Sequence, residues 1–201
     1  MKIGIYGGSF DPIHKGHIYM AESAMKQFSL DRLLLMPSYI SPNKADETLV
    51  TSEHRIAMCQ LASKHNPKIS VSDYEASLSK VSYTYLTMQA FQKRYPNDER
   101  YFIMGGDSLD YFEKWIHPEI IAECAHILVL EREKFTVDEM EEKIAHIKSC
   151  FPANISIIRS KPFCASSTDI KKQLLNSPKE CPKELNTDVY EYICAHHLYG
   201  L

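Results

Sequence analysis

Gly7-Gly8-Ser9-Phe10-Asp11-Pro12-Ile13-His14-Lys15-Gly16-His17 follows the apolar run Ile3–Tyr6 and leads straight into a helical pattern. In that pattern Ile18, Ala21, Met25 and Phe28 share one face. Strand, turn and helix in immediate succession open a βαβ unit. Gly7 and Gly8 permit tight turning and let backbone N–H groups approach an anion. Asp11-Pro12 forces a turn ahead of the helix. His14 and His17, three apart, share one face of the first helical turn, and Gly16 leaves room for a ligand against the backbone. The helix N-terminus adds partial positive charge. The stretch therefore suits a polyphosphate held by imidazoles and amides, without a Walker lysine. A metal pair or ordinary helix-start residues are the alternatives, but two histidines supply only half of a usual metal site.

The same alternation continues along the chain. Ile3–Tyr6, Arg32–Met36, Ile69–Val71, Tyr101–Met104, Ile127–Leu130 and Ile155–Ile158 read as strands, most without polar alternation, as in strands buried on both faces. Helices are predicted over Thr51–Lys64, Tyr85–Arg94, Thr136–Cys150, Thr168–Leu175 and Thr187–His197. Such repetition implies an α/β fold, a Rossmann-like doubly wound parallel sheet with right-handed crossovers. Ligands of these sheets sit outside the carboxyl ends of the strands. The segments after Tyr6, Met36, Met104, Leu130 and Ile158 are therefore the expected site. Pro37–Val50 is long, polar and broken by Pro37 and Pro42, as functional lids often are. Asn176–Asn186 reads as a plain connection and Glu131–Glu142 as a solvated, charged face.

With 201 residues, 44% hydrophobic and 24% charged, the composition is that of one globular domain with a sizeable core. No run approaches the roughly 20 apolar residues of a membrane span, and no apolar leader precedes the first strand, so a cytoplasmic protein is expected. The six cysteines include no Cys-x-x-Cys pair and read as reduced thiols, several of them buried. A net charge of −3 argues against a nucleic-acid binder but not against a small anionic substrate.

The opening stretch resembles the signature of the HxGH nucleotidyltransferases, and its Gly-Gly-Ser-Phe-Asp-Pro-Ile-His form most resembles the nicotinate-mononucleotide branch. Further segments resemble that branch in order. Met36-Pro37 with Ile40-Ser41-Pro42-Asn43-Lys44 is similar to its substrate loop, and Ser82-Tyr83-Thr84-Tyr85-Leu86-Thr87 to its Ser-Tyr-Thr-x-x-Thr element. Gly105-Gly106-Asp107-Ser108-Leu109 with Trp115 is similar to Gly-x-Asp-x-Leu…Trp. Arg132 stands at the place of a family arginine. Ala165-Ser166-Ser167-Thr168-Asp169-Ile170-Lys171 resembles the closing Ile-Ser-Ser-Thr-x-Ile-Arg, and Val189…Tyr192-Ile193…Leu198-Tyr199 is also family-like. The resemblance spans essentially the whole chain, as a single nucleotidyltransferase domain over residues 1–201.

This resemblance implies attack of the nicotinate mononucleotide phosphate on the α-phosphorus of ATP, giving deamido-NAD and pyrophosphate. With no Gly-x-Gly-x-x-Gly fingerprint, NAD belongs on the product side. Mg2+ would arrive with ATP, without a protein cage. His14 and His17, with Lys44, would be catalytic. ATP would contact Gly8, Ser9, Phe10, His14, His17, Gly105, Asp107, Ser166, Ser167, Thr168 and Lys171. Asp107 would accept a ribose hydroxyl, and Ser166–Thr168 would hold the β- and γ-phosphates with hydroxyls and helix amides. Lys44, Thr84, Trp115 and Arg132 would bind the mononucleotide, Trp115 by stacking and Thr84 at the carboxylate. ATP and nicotinate mononucleotide are the partners implied, with no nucleic acid and no membrane, and a homo-oligomer is compatible with the sequence.

Three positions depart from the branch pattern: Asn43 for histidine, Ala165 for isoleucine and Lys171 for arginine. The last exchanges a bidentate fork for a point charge. The rival expectations are a phosphopantetheine adenylyltransferase, a preference for the amide mononucleotide, and a nucleotide sensor without turnover.

Overall fold

The strands of this chain read as unbroken apolar runs because the sheet is covered on both sides. In the computed structural model, which describes residues 1–40, 42, 49–130, 136–159, 163 and 165–201, the strands are β1 (Lys2–Gly8), β2 (Arg32–Pro37), β3 (Ile69–Val71), β4 (Glu99–Gly105), β5 (His126–Leu130) and β6 (Ile155–Ile158). All pair in parallel in the order β3-β2-β1-β4-β5-β6. Alternate residues face opposite ways. Leu33, Leu35, Tyr101, Ile103, Leu128 and Leu130 enter one core, while Leu34, Met36, Phe102, Met104, Ile127 and Val129 enter the other. Each such buried side chain contributes about 1.5–3 kcal/mol.

The first core lies under α1 (Lys15–Phe28), α2 (Ser52–Ser63), α8 (Ser167–Asn176) and α9 (Thr187–Ala195). The second lies under α4 (Thr84–Arg94), α6 (Pro118–Cys124) and α7 (Val137–Cys150). Gly4 allows close packing on the first face, since a Cβ there would stand 2.9 Å from Leu30 Cδ1. Helix ends follow local chemistry. Thr136 and Glu139 form a reciprocal capping box ahead of α7, and Ser29 closes α1 in the left-handed region.

All six predicted strands and the predicted helices are present, with ends shifted by one or two residues. The short helices α3 (Tyr74–Ser77) and α5 (Gly106–Leu109), and α6, were not foreseen. None exceeds two turns, too short for an apolar period to emerge. Of the cysteines described, Cys59 and Cys124 are buried, Cys194 is partly so, and Cys150 and Cys181 are exposed. Among the described residues no helix is long and apolar enough to cross a membrane.

The chain winds from β1 outward to β3, then returns past β1 to β4 and on to β6. The carboxyl ends of β1 and β4 therefore diverge into opposite crossovers, and the crevice between them is where such a sheet receives a ligand.

Candidate active site

A cavity of about 840 Å³ opens at that crevice. Its walls come from the carboxyl ends of β1, β2 and β4 and from the starts of α1, α4 and α8. Gly8, Ser9, Phe10, His14 and His17 line it beside Gly105 and Asp107. Thr84 and Trp115 form another part of the wall, and Ser166, Ser167, Thr168 and Lys171 close the set. The sequence-predicted residues thus meet in one place, with two exceptions. Lys44 and Arg132 lie outside the described residues, as does Asn43.

The histidine pair is built by the start of α1. His14 is the N-cap, with extended backbone, and not a residue of the first turn as its spacing suggested. The difference follows from the His14 backbone itself, which at φ −142° and ψ 171° is extended and stands ahead of the first turn. The pair survives it, because the His14 and His17 rings stack with centroids 3.7 Å apart and planes 27° apart. The His14 backbone N–H donates to His17 Nδ1 at 3.2 Å. With Nδ1 accepting, the neutral His17 ring carries its proton on Nε2, as a donor. The Phe10 ring meets His17 edge-on at 5.1 Å and fixes its plane.

Gly7 and Gly8 do not make the tight turn expected of them. Both belong to β1 and pair with Met36 and Pro37 of β2. The left-handed residue of the loop is Phe10, at φ 49°. Gly8 instead gives the Phe10 ring room, for a Cβ there would approach Phe10 Cζ to 3.1 Å.

Across the cavity, Ser166 caps α8 through its hydroxyl, which accepts from the Asp169 N–H. Ser167 Oγ donates to the Pro12 carbonyl at 3.0 Å and so ties α8 to the histidine loop. The N-termini of α1 and α8 consequently meet at one cavity, and their partial charges add. The resemblance assigns Lys171 to ATP. Here its Nζ pairs with Asp11 Oδ2 at 3.1 Å while the residue still lines the cavity.

The opposite end of the cavity is aromatic and polar. Trp115 meets the rings of Phe112 and Phe102 edge-on at 5.4 and 6.3 Å. Its Nε1 is buried and, like Ser38 Oγ, has no hydrogen-bond partner among the described residues. Both residues line the cavity. A buried donor without a partner is costly, about 1–3 kcal/mol, so each suits a site that a polar ligand completes. Glu75 is buried nearby and accepts from Thr87 Oγ1 at 2.7 Å. Burial pushes its carboxyl up, against hydrogen bonds from Thr87 and Ser82 that pull it down.

The sequence reading missed the supports behind these walls. Arg55, 1% exposed, donates from Nε to Val50 O, from Nη1 to Ser9 O and from Nη2 to Tyr39 O. Ser82 Oγ accepts from the Tyr39 N–H, and Ile40 bridges to Val81. The two ends of the Pro37–Val50 segment are thereby fixed against the first loop and the Ser82–Thr84 segment. An apolar-faced helix with one arginine gives no local signal of such a role. Ser38, by contrast, was within reach of recognition as a polar residue beside the predicted segment after Met36, whereas Glu75 adjoins none of the predicted segments.

Residues 5–173 match the family described as cytidylyltransferase-like. The chain is 36% identical over 198 residues to a probable nicotinate-nucleotide adenylyltransferase of Lachnoclostridium phytofermentans, covering 98% of each. It is 32% identical over 198 residues to the nicotinate-nucleotide adenylyltransferase of Bacillus subtilis, again covering 98% of each. In fold it is similar to Plasmodium falciparum nicotinic acid mononucleotide adenylyltransferase complexed with APC, at a TM-score of 0.78 and 22% identity, covering 98% of this chain and 96% of that one.

Proposed function

Because the chain belongs to the cytidylyltransferase-like family and, within it, to the nicotinate-nucleotide adenylyltransferases, we infer that it transfers the adenylyl group of ATP to nicotinate mononucleotide. The products are deamido-NAD and pyrophosphate, a step of NAD biosynthesis. A phosphate oxygen of the mononucleotide forms a bond to the α-phosphorus of ATP while the bond from that phosphorus to the β-phosphate bridging oxygen breaks. No covalent enzyme intermediate is required.

One arrangement supports this most directly: the stacked His14–His17 pair and the N-terminus of α8 line the same cavity as Trp115 and Thr84. A triphosphate and a flat acceptor can therefore lie in one continuous space. Catalysis of such a transfer rests on positioning and on neutralising charge at the phosphoryl group and the leaving group. His14 and His17 supply imidazole donors there. Ser166, Ser167, Thr168 and the α8 amides take the outer phosphates, with Lys171 as their cation. Gly8, Ser9 and Phe10 bring backbone up to the nucleotide, Gly105 leaves space for the nucleoside, and Asp107 accepts a ribose hydroxyl. Lys44 and Arg132 are assigned to the mononucleotide phosphate on their sequence positions.

Magnesium belongs with the triphosphate. The cavity donors are mainly imidazoles, hydroxyls, amides and the ammonium groups of Lys114 and Lys171, which bind phosphate oxygens and not a hard cation. Among the described residues no three His, Cys, Asp or Glu side chains group as metal ligands. Bound to ATP, the ion would neutralise phosphate charge. Residues 1–201 act as a single domain in this reading, with a cytoplasmic location and no nucleic-acid partner, consistent with the net charge of −3.

The deciding assay is pyrophosphate release with ATP and magnesium, offering nicotinate mononucleotide, nicotinamide mononucleotide and phosphopantetheine in parallel. Preference for the nicotinate form is expected. Preference for another acceptor would refute the substrate assignment, and silence with all three would leave a binding protein. Trp115→Ala tests the acceptor end. Loss of an aromatic face and its N–H is expected to raise KM for the mononucleotide about tenfold or more, with KM for ATP little changed. An unchanged mononucleotide KM would remove Trp115 from the site.

A further inference from the structure

In the sequence Asp11 reads as a turn former, and Tyr199 as part of a family-like ending. In the structure they touch. The Tyr199 hydroxyl donates to Asp11 Oδ1 at 2.7 Å, across 188 positions of sequence. The same oxygen accepts the Val50 N–H at 3.3 Å, and Oδ2 accepts Lys171 Nζ at 3.1 Å. Asp11 is 4% exposed, so its carboxylate depends on these donors in place of water.

Tyr199 reaches Asp11 through a backbone that tyrosine seldom adopts, φ 58° and ψ 24°. Such a conformation persists only where its surroundings hold it. Here Leu198 and Leu201 pack against the first core, and the Leu201 N–H closes onto the Leu198 carbonyl at 3.3 Å. Burial first, then the neighbouring Asp11 charge, pushes the phenol well above its ordinary range. It remains a hydroxyl and can only donate to the carboxylate.

Lys171 carries a point charge on a flexible stem and is not pre-organised as an arginine fork would be. Something else must set where its ammonium stands. Asp11 does so directly, and Asp11 is in turn aimed by Tyr199. We propose that Tyr199 is a positioning residue for ATP, acting through Asp11 to hold the Lys171 ammonium at the triphosphate end of the cavity. The proposal rests on the assignment of Lys171 to phosphate. It also extends the site beyond the family match, which ends at residue 173.

The test is steady-state kinetics and calorimetric ATP binding on the full chain, with Tyr199→Phe, Lys171→Met and the double variant. Phenylalanine keeps the ring packing and removes one hydrogen bond to a charged group. The expected result for Tyr199→Phe is a KM and Kd for ATP raised about tenfold, with KM for nicotinate mononucleotide within about twofold of the parent. In the Lys171→Met background the same substitution should add nothing. Lys171→Met with unchanged ATP affinity would refute the phosphate role of Lys171, and the proposal with it. If Lys171→Met weakens ATP but Tyr199→Phe does not, only the positioning role falls. An equal penalty in both backgrounds, or both KM values rising together, would also overturn it. Should Tyr199→Phe fail to fold, Asp11→Asn removes the charge that holds Lys171, the next link of the same chain, and is expected to give the same split between the two KM values; an unchanged KM for ATP would overturn the proposal.

Discussion

His17→Ala is expected to lower turnover about 10²–10³-fold while leaving the fold standing. The magnitude is that of removing one donor from a site where charge develops. The mechanism is local: His17 Nδ1 is occupied by the His14 N–H, which leaves Nε2 as the donor of the neutral ring. Alanine removes that donor and the partner against which His14 stacks at 3.7 Å. Little stability should go with it. His17 is only partly buried, stands in the first turn of α1, and alanine is the best helix former. The check is kcat for pyrophosphate release at saturating substrates, beside a thermal midpoint for each protein. A folded variant within about threefold of the parent would sink the catalytic assignment of His17.

Arg55→Ala is expected to act in the opposite way, through stability first. The guanidinium is enclosed, and burial pulls its pKa down against the supporting charge of Asp11. Its three donors satisfy carbonyls on the first loop and on both ends of the Pro37–Val50 segment, at 2.8 to 3.0 Å. Truncation leaves those carbonyls buried and the Asp11 charge less compensated, a loss of about 3–5 kcal/mol. For a chain of this size that lowers the thermal midpoint by on the order of 10 °C. Arg55→Lys should recover only part, since one ammonium cannot span Ser9, Tyr39 and Val50 in the planar geometry they define. A midpoint for Arg55→Ala within about 2 °C of the parent would show that the loops hold without it.

The two substitutions mark what was legible in the sequence. His17 belongs to a contiguous pattern, as do Ser166–Thr168 and Gly105–Asp107. Contiguous patterns carry their chemistry with them, because neighbouring residues stay neighbours in the fold. The strands were legible for a related reason: burial on both faces writes itself into Leu33–Met36 and Ile127–Leu130 as unbroken apolar runs. What stayed hidden depends on contacts distant in the chain. Arg55 reaches Ser9 across 46 positions, and Lys171 finds Asp11 across 160. No local period encodes such meetings. The turn expected at Gly7 and Gly8 falls at Phe10 instead, because glycine marks both turns and close approaches and its local sequence does not separate them.

The bond between Asp11 and Tyr199 has a consequence for how the molecule becomes competent. Closing a loop of that length is entropically unfavourable, and it becomes favourable only after the intervening elements have packed. No early, locally assembled intermediate can therefore offer ATP the same grip as the finished protein. Nucleotide would bind the native state in preference to partly folded ones and add to its stability by mass action. A damaged or incompletely folded copy would lose its hold on ATP before it lost its secondary structure.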